Sequence, residues 1–482
     1  MFSQRLAIFR PFSFNKSFSV SKSLVLVVLI FFIFLAFLSG ILNSSKSNFM
    51  YSLQNKWTTT SLQPSGTDIS PTNISHIVFA ISSSNKLWPR RRNYVEAWWR
   101  PNSTRGYIFF DKLPQNPWPN SPIFKVSEDT TKFQVFSSHA NPPVIRIVRA
   151  ILEAYRAEDE PRNVRWYVIG DDDTIFFVEN LVSLLKRYDH TKYFYIGGIS
   201  ECRKSNDDFS FHMAYGGAGF ALSRPLASAL VTHLDYCIEK YKLLAVSDII
   251  LQSCIADIGV SLTPHKEFHQ IDLVGDISGY LSSAQSPLVT LHHLDSALPI
   301  FPSMSRYESV KHLMKAGNSS HQSRLLQQTI CYDKHRNWTY SISWGYSVYI
   351  FEQIYPRSVL RKPLETFRPW NPRSRPPHYM FNTRKLELDG PCKDPHVFFF
   401  ESQNVTAGGH LVTSYTKSRP YRRRLPSCST NSADHVSKIQ ISSTLASHEM
   451  DTGAQCCDLL NTHHRNITTA KLRTCMEGEI VA

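Results

Sequence analysis

The chain has 482 residues, with 42% hydrophobic content, 19 glycines and 27 prolines, a composition that excludes a disordered or collagen-like chain and allows one large domain or two ordinary ones. Its formal charge of +14 raises nucleic acid as a partner, but the basic residues fall in short separate clusters, Arg90–Arg92, Arg373–Arg375 and Arg422–Arg424. No zinc-finger, zipper or RNA-binding signature accompanies them, and nucleic acid is set aside.

The first element is apolar. Leu24 to Leu42 carries no charged residue, and about 19 residues at 1.5 Å rise come close to the thickness of a hydrocarbon layer. Arg5, Arg10, Lys16 and Lys22 precede it without an acid, so the positive-inside rule keeps 1–23 cytosolic and sends the rest across as a type II protein anchored by residues 24–42. A cleaved signal peptide is the competing reading, but the stretch exceeds the usual apolar core and no A-x-A site follows. Residues 43–75, rich in Ser, Thr, Asn and Gln, read as a stem. All nine cysteines lie beyond the anchor, where a lumen permits disulfides, and the odd number leaves at least one thiol over.

Beyond the stem, strands are expected at His76–Ile81 and Gly106–Asp111, with a helical turn over Asn93–Trp99 between them. A helix over Val144–Ala157 precedes a buried strand, Trp166–Gly170, and helical spacing returns at Leu181–Arg187 and Pro225–Tyr241 around a strand at Phe194–Gly197. The alternation gives an α/β domain over 76–325 with a largely parallel sheet. From about Gln327 the pattern weakens into Pro- and Arg-rich segments with few strands, such as Val397–Phe400, so 326–482 reads as an appended, cysteine-bearing region.

Asp171, Asp172 and Asp173 follow the strand WYVIG, at the sheet edge where α/β proteins bind ligands. Three adjacent carboxylates repel unless a cation or proton neutralises them, and Asp-x-Asp suits Mg²⁺ or Mn²⁺ with a nucleotide diphosphate. A solvated turn is the bland reading. An aspartyl-phosphate phosphatase, with Asp171 as nucleophile, is another. The run MAYGGAGFALS (Met213–Ser223) permits close backbone approach or a tight bend, but lacks dinucleotide and P-loop spacing.

The segments HIVFAISSSNKLWPRRRNYVEAWW, WYVIGDDDTIFFVENL, MAYGGAGFALS, GVSLTPHKEFHQIDLVGD and PLVTLHHLD, in this order, resemble the plant fringe-like glycosyltransferases of the DUF604 group. That group is similar to the larger β-1,3-glycosyltransferase family of fringe and core 1 galactosyltransferase. The resemblance to the plant group runs from about Ser75 to the C-terminus, and to fringe itself over about 76–295. It implies a GT-A fold, a mostly parallel mixed sheet flanked by helices, together with a UDP-sugar donor, Mn²⁺ or another divalent metal, a glycan or glycoprotein acceptor, inversion, and a Golgi location. Residue by residue, it implies that Asp173 ligates the metal and that Asp172 lies nearer the ribose, with Asp171 also on the donor side. Gly216 and Gly217 would sit beside donor and acceptor, and Arg90 near the donor. His292 would complete the metal site, with its neighbour His293 left open; on a strand the two would face opposite ways, so only one could ligate.

Asp248 is the candidate catalytic base, with a helix N-cap as the bland alternative. Cys237 and Cys254, which flank it, are either a disulfide or two buried thiols. Where fringe-type chains often carry two adjacent acids before that second cysteine, this one has Ser247-Asp248-Ile249, which puts inferences about specificity in doubt. A membrane-anchored glycan-binding protein that has lost turnover is the competing function, because fold alone does not secure activity.

Overall fold

Strand β1 (Ile77–Ser82) shows how the first layer forms, because its side chains alternate between two cores. Ile77, Phe79 and Ile81 join an aromatic core, while Val78 and Ala80 join an aliphatic one on the other face. A strand buried on both faces reads as a continuous apolar run, which is how HIVFAI looks. The computed structural model describes residues 70–482 except 116–117, 134–141, 159–162, 285, 319–321, 387–392, 419–431, 445–454, 461–465 and 480–482. The expected anchor over 24–42 and most of the stem lie outside the described residues, among which no helix is long and apolar enough to cross a membrane.

After β1 come helix α1 (Trp88–Trp98), β2 (Arg105–Phe110), β3 (Ile123–Val126), α2 (Pro142–Ala157), β4 (Trp166–Asp171), β5 (Ile175–Phe176) and α3 (Val178–Leu185). There follow β6 (Tyr195–Gly197), α4 (Arg203–Asp208), β7 (Phe220–Ser223), α5 (Arg224–Lys240), α6 (Ser247–Asp257), β8 (Leu262–Pro264), β9 (Leu273–Gly275) and β10 (Thr290–Leu291). The main sheet has the order β3-β2-β1-β4-β7-β6-β8, parallel throughout except where β7 runs against β4 and β6. The expected mixed, mostly parallel sheet is present. Sequence reading missed β7 because its residues lie in the glycine-rich run.

Helices α2, α5 and α6 cover the aliphatic face, and a disulfide between Cys237 and Cys254 joins α5 to α6. Closing a loop of 17 residues contributes about 3 kcal/mol on the chain-entropy account.

The region after 326 holds far more strand than expected. β11 (Gln328–Asp333), β12 (Trp338–Ser343), β13 (Ser347–Phe351), β14 (Phe367–Pro369), β15 (His396–Val405), β16 (His410–Lys417), β17 (Lys438–Thr444), β18 (Gln455–Leu460) and β19 (Ile467–Thr474) follow. All but β14 form a sheet ordered β11-β12-β13-β15-β16-β17-β19-β18, antiparallel except at β17–β19. WTYSIS and SVYIF are buried at every position; WTYSIS alternates Trp338, Tyr340 and Ile342 with Thr339, Ser341 and Ser343, a strand signal masked by its loop-like hydroxyl content, whereas SVYIF carries no such alternation. The Cys331–Cys457 disulfide links the two edge strands, β11 and β18, and Cys456–Cys475 links β18 to the end of β19. Cys202 is free and buried, and Cys392 and Cys428 lie outside the described residues.

The aromatic core runs from β1 into β12, β13 and β15 without interruption. The short strand β14 leaves the second sheet's region and pairs antiparallel with β9, matching Phe367 to Gly275 and Pro369 to Leu273.

Candidate active site

The chain runs from β1 outward to β2 and β3, then returns to place β4 on the other side of β1. Connections diverge between β1 and β4, and the crevice at such a switch point is where ligands bind. Ser82 pairs with Asp171 there, so Ser83 and the acidic run emerge side by side. Trp98 fixes the turn by donating its indole N–H to the Thr174 carbonyl at 3.0 Å, with its ring packed on Phe79 and Phe176. Thr174 Oγ1 accepts the Asp171 N–H at 2.8 Å and donates to the Gly217 carbonyl at 2.7 Å, tying the acids to the glycine run.

The three carboxylates take different partners. Asp172 accepts from the Ser83 hydroxyl at 2.6 Å and from Arg91 at 3.0 Å. Asp173 faces both Arg91, at 3.0 Å, and His292 Nε2, at 3.2 Å. Asp171 lies 3.9 Å from the same Nε2, and Arg91 also reaches Asp295 at 2.8 Å. Burial, with Asp173, Asp248 and Asp172 adding to it against His292, pushes Asp171 up to about 7. Burial and Asp173 push Asp172 up to about 6 against Ser83 and Arg91. For Asp173 burial acts upward too, but His292 and Arg91 outweigh it and hold the carboxyl well below the usual range. His292 moves the other way: burial lowers it, yet Asp173 and Asp171 raise it to about 9.

Two carboxylates and an imidazole thus converge, since ligand atoms of Asp171, Asp173 and His292 all lie within 4.8 Å of one another. A hard divalent cation fits this donor set: Nε2 faces both carboxylates, while Nδ1 is buried without a hydrogen-bond partner among the described residues. Asp171, expected on the donor side, is therefore grouped with the metal-capable residues, and Asp172 is the acid turned away to Ser83 and Arg91.

Glycines 216 and 217 are required by close approach. A Cβ on Gly217 would stand 2.1 Å from His292 Cε1, and one on Gly216 would stand 2.7 Å from Asp248 Oδ1. The Gly216 N–H donates to Asp248 Oδ2 at 3.0 Å. The two bare backbone positions therefore seat the imidazole and the separate carboxylate on neighbouring residues. Asp248 occupies the first turn of α6, where Val246 is the N-cap, so it is not the cap. Its half-buried carboxyl is raised above the usual range by burial, opposed by the Gly216 and Ser247 hydrogen bonds. Gly217→Ala should displace His292, costing about 1–3 kcal/mol of stability and roughly tenfold or more in metal-dependent nucleotide affinity. Unchanged affinity by calorimetry in the folded variant would show that His292 is not a ligand.

Two expectations need correction. Arg90 is exposed, and it is Arg91 that meets the acids. Successive residues on a helix diverge by about 100°, and Arg91 shares the inward stripe with Trp88, Val95 and Trp98. Pro89, an N-terminal helix signal, marks a start five residues before the expected helical turn, and reading it would have exposed that spacing. His292 and His293 do not face opposite ways, because β10 ends at Leu291 and His293 has φ 56°. Their rings lie 3.8 Å apart. His293 bonds Asp272 at 3.1 Å and stacks on Trp370 at 4.6 Å, so it supports the site from outside, leaving His292 facing the acids. Ser83, Arg91, Asp272 and Asp295 lie inside the segments that carry the family resemblance but were given no role from it, and Trp370 lies outside them.

With this geometry in place, a family model described as "Protein of unknown function, DUF604" matches residues 205–457, just over half of the chain and including Gly216, Gly217, Asp248 and His292. The chain belongs to the DUF604 family. This DUF604 chain is also 29% identical over 133 residues to a human β-1,3-glucosyltransferase, covering 28% of this chain and 26% of the relative. A mouse N-acetyllactosaminide β-1,3-N-acetylglucosaminyltransferase is 26% identical over 113 residues, covering 20% and 31%. The match thus spans under a third of either relative's length. A solved mannosyltransferase from Pyrobaculum calidifontis, in complex with GDP-Man and Mn²⁺, aligns with 47% of this chain and 65% of its own at 11% identity, with TM-score 0.26.

Proposed function

We propose that this DUF604 protein is an inverting glycosyltransferase that moves a hexosyl group from a UDP-sugar to a hydroxyl of a glycan or glycoprotein, forming a β-1,3 linkage. The observation that carries this reading is the convergence of Asp171, Asp173 and His292 at the switch point, with Asp248 held apart from them by adjacent glycines. The β-1,3-glycosyltransferase relatives support it.

In this reading Asp171, Asp173 and His292 hold Mn²⁺ or a similar ion, which supplies positive charge for the diphosphate leaving group. Asp172, fixed by Ser83 and Arg91, faces the nucleoside. Asp248 accepts the acceptor hydroxyl's proton while that oxygen bonds to the anomeric carbon and the bond to UDP breaks. The Gly216 N–H bond orients the base, and its raised pKa makes it a better proton acceptor. Luminal placement of the domain rests on the apolar run and charge bias of the N-terminus, and the Golgi as its compartment on the family resemblance.

The test is hydrolysis and transfer by the purified full-length chain with UDP-Gal, UDP-GlcNAc, UDP-Glc and UDP-GlcA. One donor should be turned over only with a divalent ion present. Tight UDP binding with no turnover of any donor would favour a glycan-binding protein that has lost catalysis.

A further inference from the structure

A basic cleft lies between the start of α4 and residues 373–377, lined by Arg203, Lys204, Arg373 and Arg375 with Asp207 as its one carboxylate. Arg203 approaches Asp207 at 3.7 Å and Lys204 pairs with Asp208. Arg373 and Arg375 are exposed and have no carboxylate partner among the described residues. Arg203 and Lys204 have acidic neighbours, so Arg373 and Arg375 are the cations of the cleft left for an outside anion to neutralise.

The walls are built rather than draped. The Arg203 N–H donates to the His378 carbonyl at 3.0 Å, and the Met380 N–H donates to the Glu201 carbonyl at 2.9 Å. Phe367, Tyr379, Phe381 and Tyr280 interlock at ring distances between 5.2 and 6.3 Å, clamping both ends of the segment that carries the two arginines. Ser374 is buried, with its hydroxyl 2.9 Å from His378 Nδ1, so the residues on either side of it project outward from a fixed turn.

The same segment begins at the candidate catalytic site. Trp370 stacks on His293 with an interplanar angle of 10° and leaves 41% of its surface open. The Trp370 backbone N–H donates to the Asp272 carbonyl at 3.1 Å. Arg373 follows Trp370 by three positions, at most about 11 Å of extended chain. An exposed indole offers a flat apolar surface to the C–H face of a sugar ring, and the arginines beyond it offer forked donors to carboxylate or sulfate.

We propose that Trp370 and the Arg203, Lys204, Arg373 and Arg375 cleft form an acceptor subsite for an anionic saccharide, one whose sugars carry carboxylate or sulfate. The proposal rests on the glycosyltransferase reading for the word acceptor, while the binding itself does not. Trp370 takes a sugar near the reacting hydroxyl, and the cleft takes a charged sugar farther along the chain.

The test is calorimetric titration of the full-length protein, without donor, with oligogalacturonate, its methyl ester and a κ-carrageenan hexasaccharide, which carries sulfate and no carboxylate. One or both anionic saccharides should bind, weaken with added salt, and exceed the neutral ester by roughly tenfold or more. Which of the two binds tighter assigns carboxylate or sulfate. Arg373→Ser combined with Arg375→Ser should lose that advantage while keeping wild-type melting and divalent-dependent UDP-sugar hydrolysis; Trp370→Ala should weaken charged and neutral saccharides alike. Equal binding of ester and acid, undiminished binding by the double variant, or tighter binding of an oligoglutamate peptide would each overturn the proposal. Absent hydrolysis with intact anionic binding would instead strike the catalytic reading.

Discussion

Asp248→Asn should lower sugar transfer roughly 100-fold or more while leaving UDP affinity and melting temperature near wild type. The amide oxygen can still accept the Gly216 N–H, now made at 3.0 Å, and the residue is not the helix cap, so the local fold keeps its hydrogen bond. What the amide cannot do is take a proton. Gly216 leaves no room for a Cβ beside Asp248 Oδ1, so a larger replacement would confound chemistry with packing. Transfer rate, calorimetry with UDP and a thermal melt on the one variant separate the roles. Near-normal transfer would make Asp248 an anchor for the glycine run.

Asp173→Ala should lose metal-dependent UDP binding by more than the roughly 10- to 100-fold typical of residues one shell farther out. The variant should still fold, because Arg91 keeps Asp172 and Asp295 as partners when Asp173 is gone. His292 retains only Asp171, at 3.9 Å. Calorimetry with UDP and Mn²⁺ reads the change, and binding that is equally strong with and without the carboxylate would end the metal assignment.

The acidic run and its strand were legible because a buried strand followed by three carboxylates is a local pattern. The pairing of Asp173 with His292, 119 positions apart, was legible only through resemblance, and Asp171 was expected with the donor rather than beside them. Arg91 was missed by one position because a helix turns faster than a charge cluster can be read, and three adjacent arginines look alike until the helix start is known. The second sheet was missed for a different reason. WTYSIS carries the period of a strand, with Trp338, Tyr340 and Ile342 alternating with three hydroxyl residues, but its polar face is buried as well, which only long-range pairing explains, and its composition resembles a loop. Trp370 carried no signal at all, because its meaning comes from β14 crossing to β9.

That crossing has a consequence for exchanging parts between relatives. The strand partner of Leu273–Gly275 and the ring that holds His293 both come from beyond residue 326, so a chimera joined there would replace one wall of the candidate crevice along with the second sheet. Acceptor choice and turnover would then change together in such hybrids, and a graft intended to alter only the former must be confined to the cleft segment 373–377, beyond the indole that stacks on His293.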